Sequence, residues 1–92
     1  MKLYGADQCP DCIEAFRILD SKDINYEYVD IIKNTKTLKE FLDIRDTRDE
    51  FDIIKENSMY GIPCFIFDDG YLTFELNEVI EKHNANKEEK RK

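Results

Sequence analysis

Two cysteines separated by two residues stand where an apolar strand gives way to a helix. Met1 to Tyr4 reads as the strand, a short loop follows, and Cys9-Pro10-Asp11-Cys12 comes next. Pro10 suits the first position of a helix, because the N–H that proline lacks is not needed there. A cysteine pair at this spacing and place can form and break a disulfide. The motif therefore predicts thiol chemistry at the start of the first helix.

The size and charge of the chain limit the alternatives. Its 92 residues make one domain with one core. Apolar runs of only a few residues predict no membrane span. The start of the chain lacks the features of a secretory signal, so we expect a cytoplasmic protein. The net charge of -7 disfavours nucleic acid and anionic membranes as partners.

The pattern after the cysteines alternates between helical and extended segments. Ile13, Phe16 and Leu19 form the apolar face of the first helix, and Tyr26 to Ile31 reads as a strand. Two matches to a capping box, Thr37 to Glu40 and Thr47 to Glu50, predict two helices or one bent helix between about residues 37 and 57.

The last part of the chain predicts a hairpin and a helix. Cys64 to Phe67 and Tyr71 to Phe74 read as strands joined by a two-residue turn at Asp69-Gly70. Leu76, Val79 and Ile80 then predict a short helix.

The fold class follows from the order β-α-β-α(α)-β-β-α. It predicts an α/β protein with a four-stranded mixed sheet flanked by helices on both faces. Residues 1–83 would form this domain, and 84–92 a charged, flexible tail.

Each cysteine of the pair is expected to have its own role. Cys9 falls at or just before the N-cap, where unpaired backbone N–H groups and the helix dipole stabilise a thiolate. Cys12 lies one turn further along the helix and is more enclosed. We therefore expect Cys9 to attack the substrate disulfide and Cys12 to resolve the resulting mixed disulfide. Asp7 and Asp11 oppose the thiolate and predict a milder nucleophile and a more reducing couple.

Two other uses of the cysteines stay open. The pair could be half of a zinc site. A structural zinc site needs four ligands, and the remaining cysteine and histidine of the chain are Cys64 and His83. Cys64 could be a buried core residue or a third redox or metal-binding thiol.

Ile62-Pro63, just before the third strand, completes a resemblance to a known family. Together with the Cys-Pro-x-Cys motif and the order of the elements, this dipeptide gives the chain its resemblance. Residues 1 to 83 are similar to the glutaredoxin-like branch of the thioredoxin fold. The resemblance implies that Cys9 is the nucleophile, Cys12 the resolving thiol, and Pro10 and Asp11 the active-site loop. It also implies a cis peptide bond at Ile62-Pro63, with the backbone of Ile62 pairing with an extended substrate.

The chain departs from the family where glutathione would bind. Glutaredoxins carry Gly-Gly and a following Asp after the hairpin, where this chain has Thr73-Phe74-Glu75-Leu76. The basic residue that many members carry before the first cysteine is replaced by Asp7-Gln8. Glu75 and Arg45 are candidate contacts to glutathione or substrate. Alternatively, Arg45 and Arg48 form surface ion pairs with nearby aspartates.

The resemblance implies a small thiol–disulfide oxidoreductase that reduces protein or glutathione mixed disulfides. We expect a monomer with no tightly bound cofactor and no metal site. Its partners would be disulfide-containing proteins, with glutathione or a thioredoxin-reductase-like flavoprotein as reductant. The alternatives are a metal or iron–sulfur carrier and a redox-sensing regulatory protein on the same fold.

Overall fold

A computed structural model describes the backbone of residues 1–90 and the side chains of residues 1–85. The elements follow the predicted order. They are β1 (Lys2–Gly5), α1 (Pro10–Ser21), β2 (Glu27–Asp30), α2 (Thr35–Thr47), a 3₁₀ turn (Asp49–Phe51), α3 (Asp52–Glu56), β3 (Cys64–Ile66), β4 (Leu72–Thr73) and α4 (Leu76–Lys90). None of the helices in this described part is long and apolar enough to cross a membrane.

The four strands form one mixed sheet in the order β2-β1-β3-β4. β1 runs parallel to β2, while β3 pairs antiparallel with both β1 and β4. Side chains alternate across the sheet. Leu3 and Phe65 therefore pack under α1 and α4, whereas Tyr4 and Cys64 pack under α2 and α3. The predicted mixed sheet with helices on both faces is confirmed.

Phe51 organises the α2–α3 side of the core. Its side chain is fully buried, with its ring centroid 5.8 Å from that of Phe41 and 4.9 Å from that of Phe74. The loop before β3 passes directly over this ring. Gly61 has φ +89° there, and a Cβ on it would lie 2.6 Å from Phe51 Cε2. Only glycine fits both the backbone conformation and the space.

The two predicted capping boxes are wrong. α2 begins at Thr35, because the Asn34 side chain accepts a hydrogen bond from the Thr37 backbone N–H at 2.9 Å. The Thr37 hydroxyl instead donates to the Asp30 carbonyl at 2.7 Å. At the second site, the Thr47 hydroxyl donates to the Asp43 carbonyl at 2.7 Å. Both threonines thus bond to upstream carbonyls, a competing use of a short hydroxyl side chain.

The β3–β4 connection also differs from the prediction. The Gly70 N–H donates to the Phe67 carbonyl at 2.9 Å, so Asp68 and Asp69 are the central turn residues. Gly70 follows them with φ +91°. This is the three-residue hairpin loop in which a left-handed residue follows the turn, rather than a two-residue Asp69-Gly70 turn. It leaves β4 shorter than the expected Tyr71 to Phe74.

The last helix is longer than predicted. α4 continues to Lys90 through most of the segment assigned to a separate tail. No glycine or proline interrupts residues 84–90, and most of them are good helix formers. The prediction of a short last helix is therefore wrong, while the division into a domain of residues 1–83 and a flexible tail stays a prediction. Residues 91–92 lie outside the described part of the chain.

The packing of Gly61 against Phe51 predicts a large effect of an added methyl group. We expect Gly61→Ala to lower the free energy of unfolding by about 3 kcal/mol, from the left-handed backbone plus the clash with the ring. Urea denaturation measures this value. Gly70→Ala is the matched control, because its φ is similar but its Cβ would meet nothing within 4 Å. It should lose only about 1 kcal/mol. Equal losses in both variants would contradict the role given to the Phe51 contact.

Candidate active site

Cys9 is the N-cap residue of α1. Its backbone is extended (φ -86°, ψ 118°), its carbonyl accepts from the Ile13 N–H at 3.0 Å, and its N–H donates to the Ala6 carbonyl at 3.2 Å. Pro10 follows at the first helical position, as predicted. The Cys9 side chain is half-buried and makes no capping hydrogen bond. Its sulfur thus lies at the positive end of the helix dipole, where an anion is favoured.

Cys12 is fully buried one turn further along α1. Its sulfur lies over the end of β1, where a Cβ on Gly5 would come within 2.9 Å of it. Burial raises the pKa of the Cys12 thiol to about 12, and the neighbouring Cys9 and Asp11 act in the same direction. A hydrogen bond from the Ala6 backbone lowers this pKa, and its effect is smaller than that of burial but larger than those of Cys9 and Asp11. Cys12 is therefore a neutral thiol near pH 7, and Cys9 presents the accessible sulfur.

A groove of about 780 Å³ joins Cys9 to the loop before β3. The Ile62-Pro63 peptide bond in that loop is cis, as the resemblance implied. Five predicted site residues line this groove: Cys9, Asp11, Ile62, Pro63 and Glu75. The other three predicted residues, Pro10, Cys12 and Arg45, are not among the lining residues.

Sequence reasoning missed the apolar wall of this groove. Ile53, Met59 and Tyr60 line it with 63%, 54% and 80% of their surface exposed. Tyr60 is an aromatic side chain that lies outside the core. The available signal was its position, since Met59-Tyr60 follows α3 in a loop and belongs to no periodic apolar pattern.

Neither Arg45 nor Arg48 lines the groove. Arg45 Nη2 donates to the Met59 carbonyl at 3.0 Å, which ties α2 to the groove loop. Arg48 forms a two-bond ion pair with Glu50, with a shortest distance of 2.7 Å, and also donates to the Gly70 carbonyl at 3.1 Å. The expected aspartate partner of Arg48 is thus replaced by Glu50.

The stretch that replaces the family's Gly-Gly-Asp is held by its own side chains. The Thr73 hydroxyl donates to Glu78 Oε2 at 2.5 Å and accepts the Glu75 backbone N–H at 3.1 Å. The Tyr71 hydroxyl donates to the other oxygen of Glu78. The Glu75 amide is thereby occupied, while the Glu75 carboxylate is exposed at the groove.

Cys64 is a core residue on the opposite side of the sheet from α1. It is fully buried in the cluster that contains Tyr4, Phe41 and Phe51. Burial raises the pKa of its thiol to about 12. The structure thus confirms the buried-core alternative for Cys64. Within residues 1–85, no three side chains of His, Cys, Asp or Glu are grouped to hold a metal ion.

Comparisons with known proteins agree with this arrangement. The family model described as Glutaredoxin matches residues 1–49, more than half of the chain. A Haemophilus influenzae protein, named only as uncharacterized, is 32% identical over 77 residues, which cover 84% of this chain and 90% of that protein. No solved structure matches. The chain belongs to the glutaredoxin family and has a thioredoxin-like fold.

The difference in burial among the three thiols predicts selective alkylation. At pH 7 iodoacetamide should modify Cys9 at least about 100-fold faster than Cys12 or Cys64, because those two are enclosed and hold their protons. Peptide mapping by mass spectrometry over a time course measures the three rates. The urea-unfolded chain is the control, and there all three cysteines should react at similar rates. Comparable labelling of Cys64 in the folded protein would contradict its burial.

Burial of Cys64 also predicts a loss of stability at high pH. The unfolded thiol loses its proton near pH 8.5, whereas the folded thiol keeps it to about pH 12. The folded state therefore binds more protons in this window, and the free energy of unfolding falls as pH rises through it. Cys64→Ala removes this contribution of the thiol. Between pH 9 and 11, the free energy of unfolding of the variant should therefore fall less steeply than that of the unmodified protein, by about 1 kcal/mol per pH unit.

Urea denaturation at several pH values measures that slope. Val79→Ala is the control, since it also removes buried apolar volume but no titrating group. Its slope should equal that of the unmodified protein. An unchanged slope in Cys64→Ala would contradict the prediction.

Proposed function

We propose that this protein is a small thiol–disulfide oxidoreductase that reduces disulfides by dithiol exchange between Cys9 and Cys12. The observation that carries the proposal is the groove, which places the half-buried Cys9 beside the cis-proline loop with Cys12 enclosed one helical turn away. Membership of the glutaredoxin family supports the same chemistry.

The exchange proceeds in two displacements. The Cys9 thiolate attacks one sulfur of the substrate disulfide, forming a mixed disulfide and releasing the other substrate sulfur as a thiolate. Cys12 then loses its proton and attacks Cys9 Sγ, which releases the second substrate thiolate. Two protons and two electrons pass to the substrate, and the Cys9–Cys12 pair becomes a disulfide.

The buried state of Cys12 suits the second displacement. Its high pKa keeps the Cys12 thiol protonated, so Cys12 does not attack the substrate disulfide in place of Cys9. Once the mixed disulfide forms, a departing substrate thiolate can accept the Cys12 proton nearby. Gly5 supplies the room for this sulfur, because any larger residue would press against it.

Ile62 is the proposed contact for the substrate backbone. It lines the groove directly before Pro63 and lies outside the paired residues of β3, which begin at Cys64. An extended substrate segment would pair with its N–H and C=O as a short added strand. Such pairing reads the backbone, so it accepts many sequences.

The oxidised pair needs a source of two electrons. We propose glutathione or a thioredoxin-reductase-like flavoprotein in a reducing cytosol. Reduction of hydroxyethyl disulfide, run in parallel with glutathione plus its reductase and with thioredoxin reductase, distinguishes the two donors. The metal or iron–sulfur carrier and the regulatory protein stay as alternative predictions.

Trapping with a single remaining cysteine tests the assignment of roles. The double variant Cys12→Ser, Cys64→Ala retains only Cys9, so it should accumulate mixed disulfides with proteins of a cell extract. These adducts should disappear with dithiothreitol. With thioredoxin reductase as the electron donor, turnover of hydroxyethyl disulfide should fall at least about 100-fold, because no resolving thiol remains on the protein. Non-reducing electrophoresis and mass spectrometry measure the adducts.

Cys9→Ser, Cys64→Ala is the matched control, with Cys12 as its remaining cysteine. It should form no adducts, because Cys12 is buried. If neither variant forms adducts and the unmodified protein does not reduce hydroxyethyl disulfide, the proposed function is wrong.

A further inference from the structure

We infer that the groove selects an extended protein segment whose disulfide-bonded cysteine is flanked by a large apolar residue and by lysine or arginine, in preference to glutathione. The inference rests on the proposed function and specifies its substrate. It follows from the charge and the apolar surface that surround Cys9.

The charge of the groove is acidic. Asp11, Glu14 and Glu75 line it, whereas no lysine, arginine or histidine is found among its lining residues in the described part of the chain. Glu14 is partly compensated by Arg17, which binds it at 2.6 Å and lowers the pKa of Glu14. Asp11 immediately precedes Cys12, and Glu75 immediately precedes α4. A cationic side chain beside the reacting disulfide would therefore be attracted by the carboxylates that line the groove.

The groove also has an apolar part. Ile53, Met59 and Tyr60 leave more than half of their surface in solvent, and Ile62, Phe74 and Leu76 extend the same wall. Exposed apolar side chains grouped in a concave surface indicate a contact with a protein partner. A large apolar residue next to the substrate cysteine would cover part of this wall.

Glutathione fits this groove poorly. It is a net anion at neutral pH, and its two carboxylates would face carboxylates rather than basic groups. The nearest arginine of α2, Arg45, is bonded to the Met59 carbonyl behind the loop. The Glu75 N–H, a backbone donor at the groove edge, is already bonded to Thr73. The features that repel glutathione attract a basic protein segment.

A set of synthetic disulfides tests the selectivity. Three short blocked peptides each contain one cysteine that forms a mixed disulfide with 2-mercaptoethanol. The two residues that flank the cysteine are Leu and Lys in the first peptide, Leu and Glu in the second, and Ser and Lys in the third. The glutathione–mercaptoethanol disulfide is the fourth substrate. Stoichiometric reduced protein supplies the two electrons, so no reductase is needed. Each second-order rate constant is divided by that for dithiothreitol, which corrects for the intrinsic reactivity of each disulfide.

We expect the Leu–Lys peptide to react about tenfold faster than the Leu–Glu peptide at low salt, with the ratio falling towards about twofold at 0.5 M salt. The Ser–Lys peptide should react about fivefold slower than Leu–Lys at both salt concentrations, because the apolar contact is lost. The glutathione disulfide should be at least about tenfold slower than Leu–Lys.

Matched substitutions locate the two preferences. Glu75→Gln should reduce the Lys-over-Glu preference about threefold, whereas Asp43→Asn, an exposed acidic position on α2 away from the groove, should leave it unchanged. Tyr60→Ser should reduce the Leu-over-Ser preference, whereas Ile32→Ser, a position that is 57% exposed outside the groove, should not.

Equal normalised rates for the Leu–Lys and Leu–Glu peptides at low salt would overturn the inference, as would a glutathione disulfide that reacts as fast as Leu–Lys. Neutral hydroxyethyl disulfide separates this failure from that of the proposed function. If the protein reduces it but does not discriminate among the peptides, only the inference is wrong. If the protein reduces none of these disulfides, the proposed function is wrong.

Discussion

The packing of the Gly61 loop onto the Phe51 ring is the contact on which the site depends. Phe51 is buried in the turn between α2 and α3, so it links those helices to the loop before β3 and, through Phe74, to the end of β4. Because the loop backbone can approach the ring so closely only at a glycine, the contact fixes where Ile62 and Pro63 lie. One wall of the groove is thus set by core packing rather than by the residues that line it.

A second close approach sets the other half of the site. Gly5 at the end of β1 leaves room for the Cys12 sulfur, so α1 can pack onto the sheet with Cys12 enclosed and Cys9 at its exposed N-terminus. The same helix therefore gives its two thiols opposite environments. Cys9 has backbone N–H groups nearby and access to the groove, whereas Cys12 is desolvated. The difference in reactivity arises from position on the helix and needs no additional charged residue.

Sequence reasoning succeeded where a local signal was strong. Pro10 marks the start of α1, the Cys-x-x-Cys spacing marks the thiol pair, and strands joined through a helix run parallel. It failed where two local signals competed. Thr37 and Thr47 both match a capping pattern, yet Asn34 caps the helix and both hydroxyls bind carbonyls. A short hydroxyl side chain can accept from a downstream backbone N–H or donate to an upstream carbonyl, and a sequence pattern alone does not say which bond forms.

The residue order by itself determined the fold class and the position of the cysteine pair at the start of α1, because spacing and helix chemistry are local properties. The proline loop beside the pair followed from the resemblance to the glutaredoxin family. Only the tertiary structure decided which side chains share the groove. Ile53, Met59 and Tyr60 come to one wall through the packing of α3, while Arg45 is drawn behind it to the Met59 carbonyl. The acidic and apolar character of the groove depends on contacts between segments distant in the chain, which no local pattern encodes.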